Sequence, residues 1–177
     1  MEEDEDLSPE FLQKKLYFFL DHLKSMHSAL PEIYQMRISY ELLTVLANSL
    51  MNDTLFKIVK SLMEIQHVTE KHLKQLREQV ENENQLEIEQ WKEKISDTEE
   101  LEHIITLLKI KHEKKLKETD IKLIQHLDQK VRDQQSTLEK AGVPGFFVTE
   151  NAKDIKIQMH LLDFILRLSQ LKYNPNK

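Results

Sequence analysis

SDTEE, residues 96–100, is the stretch on which the fold turns. A long helical pattern runs up to it and another runs away from it. On its N-terminal side Leu73, Leu76 and Val80, then Ile88, Trp91 and Ile95, recur in steps of three and four. Such spacing builds a coiled-coil seam. The longer step from Val80 to Ile88, with Asn84 between, reads as an inserted four-residue stutter. On the C-terminal side Leu101, Ile104, Ile105 and Leu108 carry the periodicity on. Leu116, Ile121, Ile124, Leu127, Val131 and Leu138 extend it. Between the two runs, Ser96 with Glu99 has capping-box spacing, and so does Asp97 with Glu100. The segment holds neither Gly nor Pro. It therefore reads either as a turn or as continuous helix.

Charge decides the orientation of what flanks it. Residues 70–102 hold eleven acids and five Lys or Arg, whereas residues 109–122 hold six Lys and three acids. Folding back near residue 97 lays Glu81–Glu93 beside Lys109–Lys115. An antiparallel dimer centred there does the same between chains. A parallel pair would set acid against acid. Each exposed ion pair contributes only about 0.2–1 kcal/mol. The charges thus select an orientation rather than supply stability, and both the hairpin and the antiparallel dimer satisfy them.

Further out, the chain remains helical. Its 177 residues include two Gly and four Pro, too few to turn the hairpins of an all-β fold. Ser8-Pro9-Glu10 is a helix start, with Leu12, Leu16, Phe19, Leu20 and Leu23 as its stripe. Pro31 ends that helix. Ser39 caps a second one, striped by Leu42, Leu43, Leu46 and Leu50, and Asp53 is placed to cap a third. From Leu55 to Ile65 the apolar face is broad enough to need more than one neighbour. Asn151 with Asp154 starts a last helix carrying Ile155, Leu161, Leu162, Ile165, Leu168 and Leu171, with Pro175 beyond its end.

Both glycines fall in LEKAGVPGFFVTEN, residues 138–151. Gly142 fits the left-handed residue just past a helix end, which calls for an apolar contact between Leu138 and Val143. Val143-Pro144-Gly145-Phe146 fits a type II turn, with Gly at the position of positive φ. Phe146 and Phe147 then point to opposite sides of an extended segment. They either pin the last helix or meet a partner.

The expected architecture is all-α. An acidic disordered tail (1–8) leads into a small N-terminal helical head (9–70). A coiled-coil region follows (71–140), built as a hairpin or an antiparallel pair with a break at 96–100. A Gly/Pro/Phe corner (141–150) leads to a C-terminal helix (151–177).

Several function classes find no support. There is no Cys, and His22/His27 and His67/His72 are five apart rather than the three or four that two helical ligands need. No metal, cofactor or catalytic residue is expected. Phosphate-binding, dinucleotide and nucleophile-elbow motifs are missing, so the chain reads as no enzyme. The net charge of −6 argues against nucleic acid. The Lys109–Lys122 run alternates with acids and apolar residues and reads as a solvated face. Trp91 reads as seam. The acidic MEEDEDLSPE start is no signal peptide, and no uncharged apolar run approaches the ~20 residues of a membrane span. A soluble nuclear or cytoplasmic protein without a transmembrane segment is expected.

Three stretches carry a resemblance: DQQSTLEKAGVPGFFVTEN (133–151), NDTLFKIVKSLMEIQHVTEKHL (52–73) and LPEIYQMRISYELLTVLA (30–47). Each resembles the family of the vertebrate DiGeorge syndrome critical region protein and the insect gonadal protein. That resemblance implies a coiled-coil protein of nucleus and cytoplasm with a developmental association, and it carries over no catalytic residue or cofactor. It also implies that the corner is constrained beyond helix patterning. Gln134, Gln135, Phe146 and Phe147 are the candidate contacts for a protein partner. Leu138, Gly142, Val143, Pro144 and Gly145 are the structural corner. A homodimer through the coiled coil is compatible with the same pattern. The other readings are a self-assembling structural coiled coil and a nuclear accessory factor contacting nucleic acid.

Overall fold

A computed structural model describes residues 8–171, 173 and 174. The acidic tail expected over residues 1–7 and Pro175 lie outside the described residues. Among the described residues six helices follow one another: α1 (Pro9–Ser28), α2 (Glu32–Gln35), α3 (Tyr40–Ser49), α4 (Asp53–Lys94), α5 (Thr98–Lys140) and α6 (Ala152–Ser169). The fold is all-α, as the composition requires. It divides into two compact units. One takes in the chain up to Met63 and from Arg132 onward; the other is Glu64–Val131.

Local chemistry sets the helix starts in the first unit. Ser8 Oγ accepts from Phe11 N–H at 3.2 Å, and Pro9 occupies the first turn. Ser39 Oγ accepts from Leu42 N–H at 3.1 Å. At the start of α4 the expectation of Asp53 as cap is corrected. Asn52 Oδ1 accepts from Thr54 N–H at 3.0 Å, and Asp53 lies 3.7 Å from Lys15. By residue type an Asn52 amide and an Asp53 carboxylate are equally good caps, so the sequence does not choose between them.

The core of this unit draws on every helix but α2. Phe19, Leu23 and Met26 come from α1, Leu43, Leu46 and Ala47 from α3, and Leu55 and Val59 from α4. Leu138 at the end of α5 joins them, as do Leu161, Phe164, Ile165 and Leu168 of α6. Helix α6 packs on α1, so the expected head of residues 9–70 is completed by the corner and the last helix. Each fully buried Leu or Phe contributes about 1.5–3 kcal/mol of transfer free energy. The stability of the fold is concentrated here.

In the second unit the chain turns back on itself. Helix α4 ends at Lys94 and α5 begins at Thr98. Asp97 Oδ1 accepts from Glu99 N–H at 2.9 Å and from Glu100 N–H at 3.1 Å. One carboxylate thus satisfies two orphan donors of α5, and a turn without Gly or Pro becomes possible. The two helices are antiparallel. Arg77 Nε donates to Asp120 Oδ1 at 2.8 Å, Lys111 to Glu87 Oε1 at 3.0 Å, and Lys115 to Glu83 Oε2 at 3.4 Å. This is the intramolecular hairpin: Glu83 and Glu87 of α4 meet lysines of α5, and Arg77 of α4 meets an acid of α5.

The seam is thin. Leu73 and Leu108 are its fully buried apolar residues, and Asn84 and His112 are buried with them. Asn84 occupies the seam position between Val80 and Glu87–Ile88, so the steps of three and four continue through the gap in apolar residues. On α5 the seam passes from Leu108 through His112 to Leu116 and the half-buried Leu123 and Leu127. Ile121 and Ile124, expected in the seam, are 48 % and 56 % exposed. Leu123 and Leu127, seven and eleven residues beyond Leu116, take the seam positions instead, and Ile121 and Ile124 fall to the side.

Among the described residues no single helix is long and apolar enough to cross a membrane. Only α3 and α4 taken together pass that test, and they are bent by 98° at the break between them, with Leu43, Leu46 and Leu50 in the core.

Replacing Asp97 by Ala should lower the unfolding free energy in urea by about 1 kcal/mol, the usual worth of an N-cap. Ser96→Ala, at the other candidate cap, should change it by less than about 0.5 kcal/mol.

Candidate functional site

The corner is built as its two glycines dictate. Val143 N–H donates to Leu138 C=O at 3.0 Å and Gly142 N–H to Glu139 C=O at 3.0 Å. That pair of bonds is a Schellman end. Gly142 has φ +79° and Gly145 φ +85°. Leu138 and Val143 are both buried in the core of the first unit. A Cβ on Gly142 would meet nothing within 4 Å, whereas one on Gly145 would lie 2.7 Å from Leu161 Cδ1. Gly145 therefore has two duties, a positive φ and a close approach to the core, and Pro144 presets the turn before it.

Two buried amides hold the extended segment that follows. Gln135 Nε2 donates to Gln158 Oε1 at 2.9 Å and to Thr149 C=O at 3.3 Å, and Thr149 N–H donates back to Gln135 Oε1 at 3.2 Å. Gln158 Nε2 donates to Phe147 C=O at 3.0 Å and to Gly145 C=O at 3.4 Å. Leaving any of these buried groups unpaired would cost about 1–3 kcal/mol. The clamp fixes which ring faces which way: Phe146 is buried at 5 % exposure and Phe147 is 45 % exposed.

The four candidate contacts therefore separate. Gln135 and Phe146 are buried within the chain, so the expectation that they present themselves to a partner is corrected. Gln135 is consumed by backbone of the corner, and Phe146 fills the core. Gln134 is half-buried. Phe147 keeps an exposed ring, with exposed Val148 beside it in sequence. Among the structural residues, Leu138 lies in the last turn of α5, and Gly142, Val143, Pro144 and Gly145 follow in the corner.

The same unit also carries a groove. It lies between α2 and the start of α6, lined by Ile33, Tyr34, Arg37, Ala152, Lys153 and Lys156, with a volume of about 340 Å³. Helix α2 is held in place by side chains of its surroundings. His27 Nε2 lies 3.0 Å from Gln35 C=O, and Gln35 Nε2 donates to Ser28 C=O at 3.1 Å and to Leu30 C=O at 2.6 Å. The Tyr34 ring sits 4.7 Å from the His160 imidazole. Burial, and then the charge of Lys156, hold the His160 pKa below its ordinary value. Ile33 is 65 % exposed, and Arg37, Lys153 and Lys156 have no ion-pair partner among the described residues. No periodic stripe predicts this groove, because α2 is a single turn and its wall comes from a helix over a hundred residues away.

A larger groove of about 560 Å³ runs among α1, the start of α4 and the end of α6. Phe11, Phe19, Phe56 and Tyr173 line it together with Lys15, Asp53 and Lys57. Ser169 also lines the larger groove, and its hydroxyl donates to Leu166 C=O. Among the described residues no three His, Asp or Glu side chains are grouped to hold a metal ion.

Comparison with known proteins places the chain. The family model for the DiGeorge syndrome critical region 6 (DGCR6) protein matches residues 1–177. The chain belongs to the DGCR6 family. It is 65 % identical over 170 residues to the gonadal protein gdl of Drosophila melanogaster, covering 96 % of this chain and 88 % of that one. It is 35 % identical over 178 residues to the protein DGCR6 of Gallus gallus, covering 93 % and 89 %. No solved structure matches. In this DGCR6-family chain the corner is a folded device, held by the Schellman end, the turn and the amide clamp.

Gly142→Ala should cost about 1–2 kcal/mol of unfolding free energy, the penalty of a left-handed backbone with a Cβ. Gly145→Ala should cost more, because Leu161 must also move. Urea unfolding of the two variants checks the order.

Proposed function

We propose that this DGCR6-family chain is a non-enzymatic interaction protein, an adaptor or subunit of a larger complex in the nucleus or cytoplasm. Its first unit would be the contact module and its long hairpin a coiled-coil spacer. The observation that carries this reading is the groove at Ile33 and Tyr34, rimmed by Arg37, Lys153 and Lys156. Exposed apolar side chains beside cations without ion-pair partners, on a chain of net charge −6, suit a protein segment with an apolar face and acidic flanks. Exposed Phe147 adds an aromatic anchor of the type that dominates interface energetics. The gonadal name of the fly relative supports a developmental setting.

Full-length chain purified from cells should lose its bound partner when Lys153 and Lys156 are both replaced by Glu, and again when Phe147 is replaced by Ser. Helicity by circular dichroism should stay at the wild-type level in both, since all three side chains are exposed. Retention of the same partner by both variants would end the proposal.

A further inference from the structure

The hairpin leaves a second stripe uncovered. Leu107, Ile110, Ile121 and Ile124 are 54 %, 62 %, 48 % and 56 % exposed. Their spacing, completed by Lys114 and Lys117, runs three, four, three, four and three along α5, on the face opposite the buried Leu108 and His112. Seven-residue recurrence of this kind is a coiled-coil seam, yet nothing in the hairpin covers it. We propose that this outer face of α5 is a self-association surface, on which a second copy of the chain packs antiparallel, α5 against α5.

Three features select a second copy. The stripe is close to palindromic. An antiparallel pairing centred between residues 115 and 116 sets Leu107 on Ile124 of the second copy and Ile110 on Ile121, with Lys114 opposite Lys117. All four large apolar side chains of each copy then meet apolar side chains. Charge fits this pairing as well. Lys114 falls one residue from Glu118 of the second copy, and Lys117 one residue from Glu113. All four groups are exposed, and none has an ion-pair partner within the chain among the described residues. A lysine faces a lysine at the centre of either pairing, but a parallel in-register pair would set Glu113 beside Glu118, whereas the antiparallel one brings both acids next to the lysines. Finally, the hairpin seam fully buries only Leu73 and Leu108 among its apolar residues, so a second layer supplies apolar burial that the two helices alone do not. The surface is distinct from the groove of the first unit and does not depend on the partner-binding reading.

The chain has no cysteine, so introduced thiols report on this register directly. Full-length protein should sediment at twice its 21.1 kDa. Under mild oxidation the I110C/I121C double variant should form a covalent dimer, as should a mixture of the two single variants. Within one chain those positions lie about 16 Å apart along the helix, too far for an internal bridge. Each single variant alone should stay uncrosslinked. Ile110→Lys with Ile121→Lys should give a monomer of unchanged helicity, because both side chains are exposed in the folded chain. A monomeric wild type, a dimer that survives the double lysine variant, or self-crosslinking of I110C alone would overturn the proposal.

Discussion

The reversal between Lys94 and Thr98 is the constraint on which the rest of the structure depends. The core of the first unit is drawn from both ends of the chain, α1, α3 and the start of α4 on one side, the end of α5, the corner and α6 on the other. Leu138, Leu161 and Phe164 can join Phe19 and Leu43 only because the chain comes back. The reversal itself is held by modest forces. Asp97 caps two amides, and Arg77–Asp120, Glu87–Lys111 and Glu83–Lys115 tie the legs together at partly exposed positions. Exposed pairs of this type are each worth only about 0.2–1 kcal/mol. They set direction and register, while the buried apolar residues of the first unit hold the ends.

Glu87 shows how the register is locked. Its carboxylate accepts from Lys111 and lies 2.8 Å from His112 Nε2. Those hydrogen bonds hold its pKa below the ordinary carboxylate range. The raised pKa of Arg77, caused first by Asp120, is the same statement from the cationic side. A slip of one helical turn would part Arg77 from Asp120 and Glu87 from His112.

How much of this could be read from residues alone depends on the range of the interaction. Short-range chemistry was legible. Ser8, Ser39 and Asn151 cap the helices they precede, and Gly142 with Gly145 take the two positive φ values of the corner. The long charge pattern was legible too, but it fitted a hairpin and an antiparallel dimer equally, since opposed charges do not record which chain they belong to. What could not be read was which amphipathic face meets which. Ile121 and Ile124 were assigned to the seam because apolar residues at near-helical spacing look alike on either face. Gln135 reads as a contact for a partner, and its burial against Gln158 follows only once α5 and α6 flank the corner. The groove at Ile33 joins residues separated by most of the chain, and no local pattern encodes it.

The family membership gives these features a common setting without naming an activity. A folded module with a cation-rimmed apolar groove and a long hairpin with an uncovered stripe are two surfaces for contact, and both rest on the chain reversing near residue 97. Electron–electron distance measurement tests that reversal most directly. Spin labels at Glu78 and Lys122, in protein diluted with unlabelled chain, should lie within about 25 Å, two label arms added to a helix spacing of ~10 Å. A continuous helix between them would place the labels about 66 Å apart. That longer distance would contradict the hairpin and everything built on it.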